Sequence, residues 1–254
     1  MVSSENRLQI HFLTLFPGMF DPILSASLLG KAQAQGLVSY HIHSIRDYAL
    51  DKHRSVDEAP YGGGEGMLLK VDVLYRAWRA VLPNLPEPPV GGIGQPTSRS
   101  PDSRVRTVLL SPQGKVLTQS LAKELSQLSQ LVLVCGHYEG VDQRFLDLCV
   151  DQEISIGDYV LTGGELPSMV LADCVTRLLP GVVGNEASVT QDSLEGGLLK
   201  YPQYTRPAQF HGLSVPPILM SGNHPAIASF REQEAQRVTR LKRPDLWEQF
   251  KKSR

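Results

Sequence analysis

An α/β fold built on a parallel sheet is expected from three features of the chain. The chain opens strand–helix–strand. Residues 8–16 are an apolar run, 19–35 carry Phe20, Ile23, Leu24, Leu28 and Ala32 at helical spacing, and 38–44 alternate Val, Tyr and Ile with Ser and His. Residues 131–135 (Leu-Val-Leu-Val-Cys) are apolar without interruption, as in a parallel strand buried on both faces. Three polar, glycine-bearing turns each follow an apolar strand: Ser111-Pro112-Gln113-Gly114, Gly136-His137-Tyr138-Glu139-Gly140, and the stretch 155–167 with Gly157, Gly163 and Gly164.

In chain order, the first helix closes at Gly36, a C-cap residue. Residues 46–66 are a long polar connection ending in Tyr61-Gly62-Gly63-Gly64-Glu65-Gly66. Such a glycine run can present successive N–H groups to a phosphate or serve as a hinge. It is not a P-loop, because Met67-Leu68 stands where Lys-Ser/Thr is required. Residues 71–82 form a helix with Val71, Leu74, Tyr75, Trp78 and Leu82 on one face. In 83–101, nine of nineteen residues are Pro or Gly, too few apolar groups for a core, so this is a solvated loop.

The second half is regular. Strands are expected at 107–110, 131–135 and 153–156, with helices at 118–128, 143–149 and from Glu165 to 179, where Pro180-Gly181 stops the chain. Ligands of open α/β sheets sit beyond the carboxyl ends of the strands, where all three turns lie. Glycines there keep side chains off the backbone, so main-chain groups can grip a heterocycle and a ribose. Residues 181–203, rich in Gly, Ser and Asn, read as an interdomain linker. Helices follow at 226–236 and 238–252, interrupted at Arg243-Pro244. The organisation is therefore an α/β domain over 1–180, a linker over 181–203 and a small helical domain over 204–254.

Charge and cysteine content narrow the function classes. The net charge of −1 gives no global field for a polyanion. From Phe230 to Arg254, however, eight Lys/Arg face four Asp/Glu, a net of +4 that leaves −5 for the rest. A basic tail on an acidic body fits nucleic-acid contact, and fits a solvated helix face as well. Cys135, Cys149 and Cys174 are an odd set without metal spacing, as expected of buried thiols in a reducing compartment. No apolar run reaches membrane-span length, and no export signal is evident, so a cytoplasmic location is expected. The histidines His11, His41, His43, His53, His137, His211 and His224 show no zinc spacing with cysteine.

Several polar residues are candidates for chemistry. Asp173 and Arg177 stand i, i+4, as in an exposed ion pair; alternatively Arg177 offers a fixed cation to a developing oxyanion. Asp192 with Glu195 has a capping-box pattern, or is a general base placed by the linker. Glu139 and Asp142 can hold a cation through oxygen or stand solvated in their loop, and Tyr138 and Tyr159 can flank a base or equally pack in the core.

These motifs, together with Thr14-Leu15-Phe16-Pro17-Gly18-Met19-Phe20, Arg54-Ser55-Val56-Asp57, Tyr204-Thr205-Arg206-Pro207 and Ser221-Gly222-Asn223-His224, closely resemble the bacterial tRNA (guanine-N1-)-methyltransferases of the SPOUT class over nearly the whole chain. The resemblance implies an α/β sheet with a C-terminal trefoil knot, followed by a small helical tRNA-binding domain, in a cytoplasmic homodimer whose active site lies at the subunit interface. It implies transfer of a methyl group from S-adenosyl-L-methionine to N1 of the guanine 3′ of the anticodon, itself preceded by a guanine. By position, the cofactor would be held by Leu110, Ser111, Pro112 and Gln113, by Gly136, Tyr138, Glu139 and Gly140, and by Ile156, Gly157, Asp158, Tyr159, Val160, Leu161, Gly163 and Gly164. Asp192 matches the proposed base for the N1 proton, on a linker from the opposite subunit, and Arg177 matches the residue proposed to stabilise O6. Mg2+ enters through the same resemblance, with Glu139 as its candidate ligand. His137 departs from the Arg that many members carry, Glu65 from a Pro or Ala, and the 83–101 insertion is longer than usual.

A binding protein that keeps this fold without turnover would not need Asp192 and Arg177. A nicotinamide-dependent dehydrogenase would need Gly-x-Gly-x-x-Gly where Phe16-Pro17-Gly18-Met19 stands.

Overall fold

The computed structural model describes residues 7–86, 104–184, 192–194 and 196–252. The chain divides into two compact units, Met1–Val183 and Gly184–Arg254. The first unit runs β1 (Leu8–Thr14), α1 (Asp21–Leu24), α2 (Ser27–Ala34), β2 (Val38–Ser44), β3 (Asp57–Glu58), β4 (Leu68–Leu69), α3 (Val71–Val81), β5 (Val105–Val116), α4 (Gln119–Leu125), β6 (Gln130–Cys135), α5 (Gln143–Cys149), β7 (Gln152–Ser155) and α6 (Glu165–Thr176).

Five strands form one sheet in the order β2-β1-β6-β5-β7, and every pairing in it is parallel. Parallel neighbours require crossovers, so helices cover both faces and the inner strands are apolar on both. β6 shows this residue by residue. Leu131, Leu133 and Cys135 enter a core shared with Leu29, Leu125 and Met169, and Val132 and Val134 enter one shared with Leu74, Trp78 and Phe145. Trp78 meets its polar need inside the second core, where Nε1 donates to Thr107 Oγ1 at 2.9 Å.

Three expected elements differ in detail. The helix expected over 19–35 is split, because Ser25 Oγ donates to the Asp21 carbonyl at 2.7 Å and Ala26 is extended. Gly30 then sits on the Ser25 carbonyl, where a Cβ would fall 2.0 Å from that oxygen. β5 continues beyond residue 110: Leu110 and Lys115 both register with Ile154, and residues 111–114 loop out between them. Pro112 has no N–H for the ladder, and Gly114 lies so close to the Glu153–Ile154 backbone that a Cβ would come within 2.4 Å. The last helix of this unit ends at Thr176, three residues early, because Leu178 and Leu179 bond to carbonyls three residues back and tighten the final turn.

The sheet also gathers three of the scattered histidines. His11 registers with His41 across the β1–β2 pair, their rings stack at 4.7 Å, and His11 Nδ1 lies 3.1 Å from His43 Nε2. Burial first, then His41 and His43, lower His11 to about 3. His41 and His43 are also lowered, again chiefly by burial. The unfolded chain therefore binds protons here that the folded chain refuses. The stability of this cluster is complete above the unfolded value of 6.5 and is lost as pH falls toward 3. The melting temperature is expected to drop as pH is lowered from 7.5 to 5, and His11→Asn to flatten that slope; an unchanged slope in the variant would contradict this assignment.

The second unit carries a small antiparallel pair, β8 (Gln209–Phe210) and β9 (Leu213–Ser214), then α7 (His224–Lys242) and α8 (Pro244–Lys252). Asn223 caps α7 by accepting from Ala226 N at 3.2 Å. The helix runs unbroken through Arg237, contrary to the two expected segments, and ends only where Pro244 begins the next. Leu199, within the stretch read as a linker, donates its N–H to Thr239 Oγ1 of α7 at 2.8 Å. Among the described residues no helix is long and apolar enough to cross a membrane. Most of the 83–101 insertion lies outside the described residues.

Candidate active site

The strand order places β6, β5 and β7 side by side, so the chain leaves three adjacent parallel strands on one rim of the sheet. The first bend, 111–114, is turned on itself by Ser111 Oγ, which accepts from Gln113 N at 3.1 Å. The second, 136–140, closes with Gly140 N donating to the His137 carbonyl at 3.1 Å. It is anchored from outside: Glu139 N donates to Met67 O and Leu69 N to Gly140 O, both at 3.0 Å. Gly66 takes positive φ (83°), and a Cβ there would collide with the Glu139 side chain at 2.3 Å. The third bend, 156–164, opens with Gly157 N donating to Ser155 Oγ at 3.1 Å and Tyr159 N to the Gly157 carbonyl at 3.0 Å.

The second and third bends are paired with each other. His137 and Gly163 form an antiparallel bridge, and Gly164 N donates to Gly136 O at 2.9 Å. Between the three bends lies one cavity of about 350 Å³. Of the residues expected to hold a cofactor, 110–113, Gly136, 138–140, Ile156, Gly157, 159–161, Gly163 and Gly164 line it. Asp158 is not among the lining residues and is exposed. Tyr138 and Tyr159, 52% and 54% exposed, both stand in the lining.

Sequence reasoning assigned no role to the polar group under this cavity. Glu165, in the first turn of α6, is 2% exposed. Its Oε1 accepts from Thr14 Oγ1 at 2.6 Å, and its Oε2 accepts from Nε2 of His137, a lining residue, at 2.6 Å. Only an acidic residue at a helix start was visible in the sequence, and such residues are usually solvated. Burial and then the Glu165 carboxylate push the Cys135 thiol up, so it stays protonated and inert.

The two candidate catalytic residues lie in different units. Arg177 is the C-cap of α6 in the first unit, half-buried, its N–H donating to the Asp173 carbonyl at 3.1 Å. Asp192 is in the second unit, and its Oδ1 accepts from Lys200 Nζ at 3.1 Å. The capping partner expected for it, Glu195, lies outside the described residues. No group of three or more His, Cys, Asp or Glu among the described residues forms a metal site.

Residues 8–249 match the family described as tRNA (Guanine-1)-methyltransferase TrmD. A protein of Geobacillus kaustophilus named tRNA (guanine-N(1)-)-methyltransferase is 51% identical over 243 residues, 96% of this chain and 93% of that protein. Proteins of the same name from Ruminiclostridium cellulolyticum and Nostoc punctiforme are 48% and 47% identical, covering 92% and 97% of this chain and 94% and 96% of theirs. Full-length matches at this identity leave one assignment: the chain belongs to the tRNA (guanine-N1)-methyltransferase family, enzymes that methylate N1 of a guanine in tRNA.

Proposed function

We propose that this chain transfers the methyl group of S-adenosyl-L-methionine to N1 of the guanine 3′ of the tRNA anticodon within the three-bend cavity. The observation that carries this reading is the convergence of the bends from β5, β6 and β7 on one cavity of about 350 Å³. The size is that of a small-ligand site. Its lining includes Gly136, Gly140, Gly157, Gly163 and Gly164, whose backbone no side chain covers, so the residues present fit a cofactor held through its heterocycle and ribose. When bound, S-adenosylmethionine supplies an electrophilic methyl group on a sulfonium. The trefoil knot that the family resemblance implies for this region belongs to the same proposal.

The protein's own work concerns the guanine. While protonated, N1 is a poor nucleophile; removing its proton puts negative charge on O6. Asp192 Oδ accepts the N1 proton, and the Arg177 guanidinium stabilises O6 as charge grows there. With the cofactor held by the three bends, its methyl group would pass to the deprotonated N1 and its sulfur would leave as a neutral thioether, so the chain's remaining task is to hold N1 against that methyl group. Asp192 belongs to one subunit of a homodimer and Arg177 to the other. The second unit, with its basic C-terminal segment, holds the tRNA, and the enzyme works in the cytoplasm. Mg2+ belongs to the same reading: Glu139 would offer it one carboxylate, and water and substrate oxygens would complete its shell, as is usual for this ion.

Subunit mixing tests the shared site. Asp192→Asn and Arg177→Ala homodimers are each expected to be nearly inactive. After exchange at equal amounts, half the dimers are mixed and one of their two sites is intact, restoring about a quarter of wild-type activity. No recovery, with exchange verified by mass, would place both residues in one chain's site.

A further inference from the structure

We infer that His137 and Glu165 form a positioning clamp that fixes the second and third bends in the arrangement that receives the cofactor. This rests on the cavity assignment above and adds two residues to it. A carboxylate as buried as Glu165 is costly unless both oxygens are satisfied. Here they are: Thr14 Oγ1 serves Oε1 and His137 Nε2 serves Oε2, each at 2.6 Å. A carboxylate can only accept, so the proton between His137 and Glu165 lies on Nε2 and the imidazole orientation is set.

The pair joins three parts of the chain. Thr14 ends β1, is itself fully buried, and accepts from Phe16 N at 2.9 Å. Glu165 starts α6 directly after the third bend, and His137 sits in the second. Gly163 shows how tightly the bends close over this link. A Cβ there would lie 2.1 Å from His137 Nε2 and 2.7 Å from Glu165 Oε2, so the pair occupies the space that any side chain at 163 would need. The main chains meet at the same point, through the His137–Gly163 bridge and the Gly164–Gly136 hydrogen bond. The phenyl ring of Phe16 covers the imidazole at 5.0 Å. Neither residue needs to touch the reacting atoms. Their effect is to pre-form the wall against which the cofactor binds, and pre-formation shows in affinity.

The test combines calorimetric titration of S-adenosylhomocysteine with steady-state methyl transfer for wild type, Glu165→Gln, His137→Ala and the double variant. Glu165→Gln is expected to raise the Kd for S-adenosylhomocysteine and the KM for S-adenosylmethionine about tenfold or more, with kcat at saturating cofactor within about threefold of wild type. The double variant should bind no more weakly than the worse single one, because each residue acts through the other. Thr14→Val removes one donor at nearly constant shape; should Glu165→Gln not fold, it is expected to raise the same Kd about threefold. Wild-type affinity in every folded variant, multiplying single effects, or a fall in kcat at unchanged KM would each overturn the clamp and leave the cavity assignment standing. Wild-type protein that takes up no S-adenosylhomocysteine would overturn both.

Discussion

Asp192→Asn is expected to abolish methyl transfer while leaving cofactor affinity at the wild-type level. The substitution keeps shape and one carbonyl oxygen, so Lys200 Nζ, now 3.1 Å from Oδ1, retains an acceptor. What is lost is the ability to take a proton. General-base assistance contributes about 10²–10⁴-fold, so kcat should fall by that factor with tRNA binding little changed. Because the residues that line the cofactor cavity all belong to the first unit and Asp192 to the second, the Kd for S-adenosylhomocysteine should not move. A normal rate in Asp192→Asn would remove this residue as the base. A rate lost together with cofactor binding would make its role structural.

Arg177→Ala is expected to lower kcat by about 10²–10³-fold, the usual loss when one fixed group facing a developing oxyanion is removed. The helix-end contribution of this residue to stability is small. Arg177 caps the C-terminal end of α6, where a cation interacts favourably with the helix dipole by only about 0.3–1 kcal/mol. The comparison of melting temperature with rate therefore separates a catalytic cation from a helix-end cation. Arg177→Lys should recover part of the rate at most, since an ammonium lacks the planar, fixed donor fork of a guanidinium. A near-normal rate with a small loss of stability would favour the helix-end role, and a large loss of stability with a proportionate loss of activity would make Arg177 a structural residue.

Much of this arrangement was legible in the chain, for local reasons. The three bends announce themselves because each breaks an apolar strand with glycine and polar residues, and the strands they follow proved adjacent. The bulge in β5 was not legible: it depends on Gly114 lying against the backbone of a strand about forty residues away. The break between α1 and α2 turns on one serine hydroxyl competing for a carbonyl, which helical periodicity does not register. Long-range polar pairs were invisible for a similar reason. Thr14 and Glu165 are 151 residues apart, and His11 and His43 are 32 apart, so only the assembled sheet brings them together. The expected cofactor residues were carried by resemblance, and the cavity holds all of them except Asp158 in its lining.

The most direct measurement is a crystal structure of this protein with S-adenosylhomocysteine bound. The expected result is the ligand in the cavity between residues 110–113, 136–140 and 156–164, its adenine and ribose hydrogen-bonded to their main-chain groups. A well-ordered ligand lodged outside that cavity would contradict the proposed site.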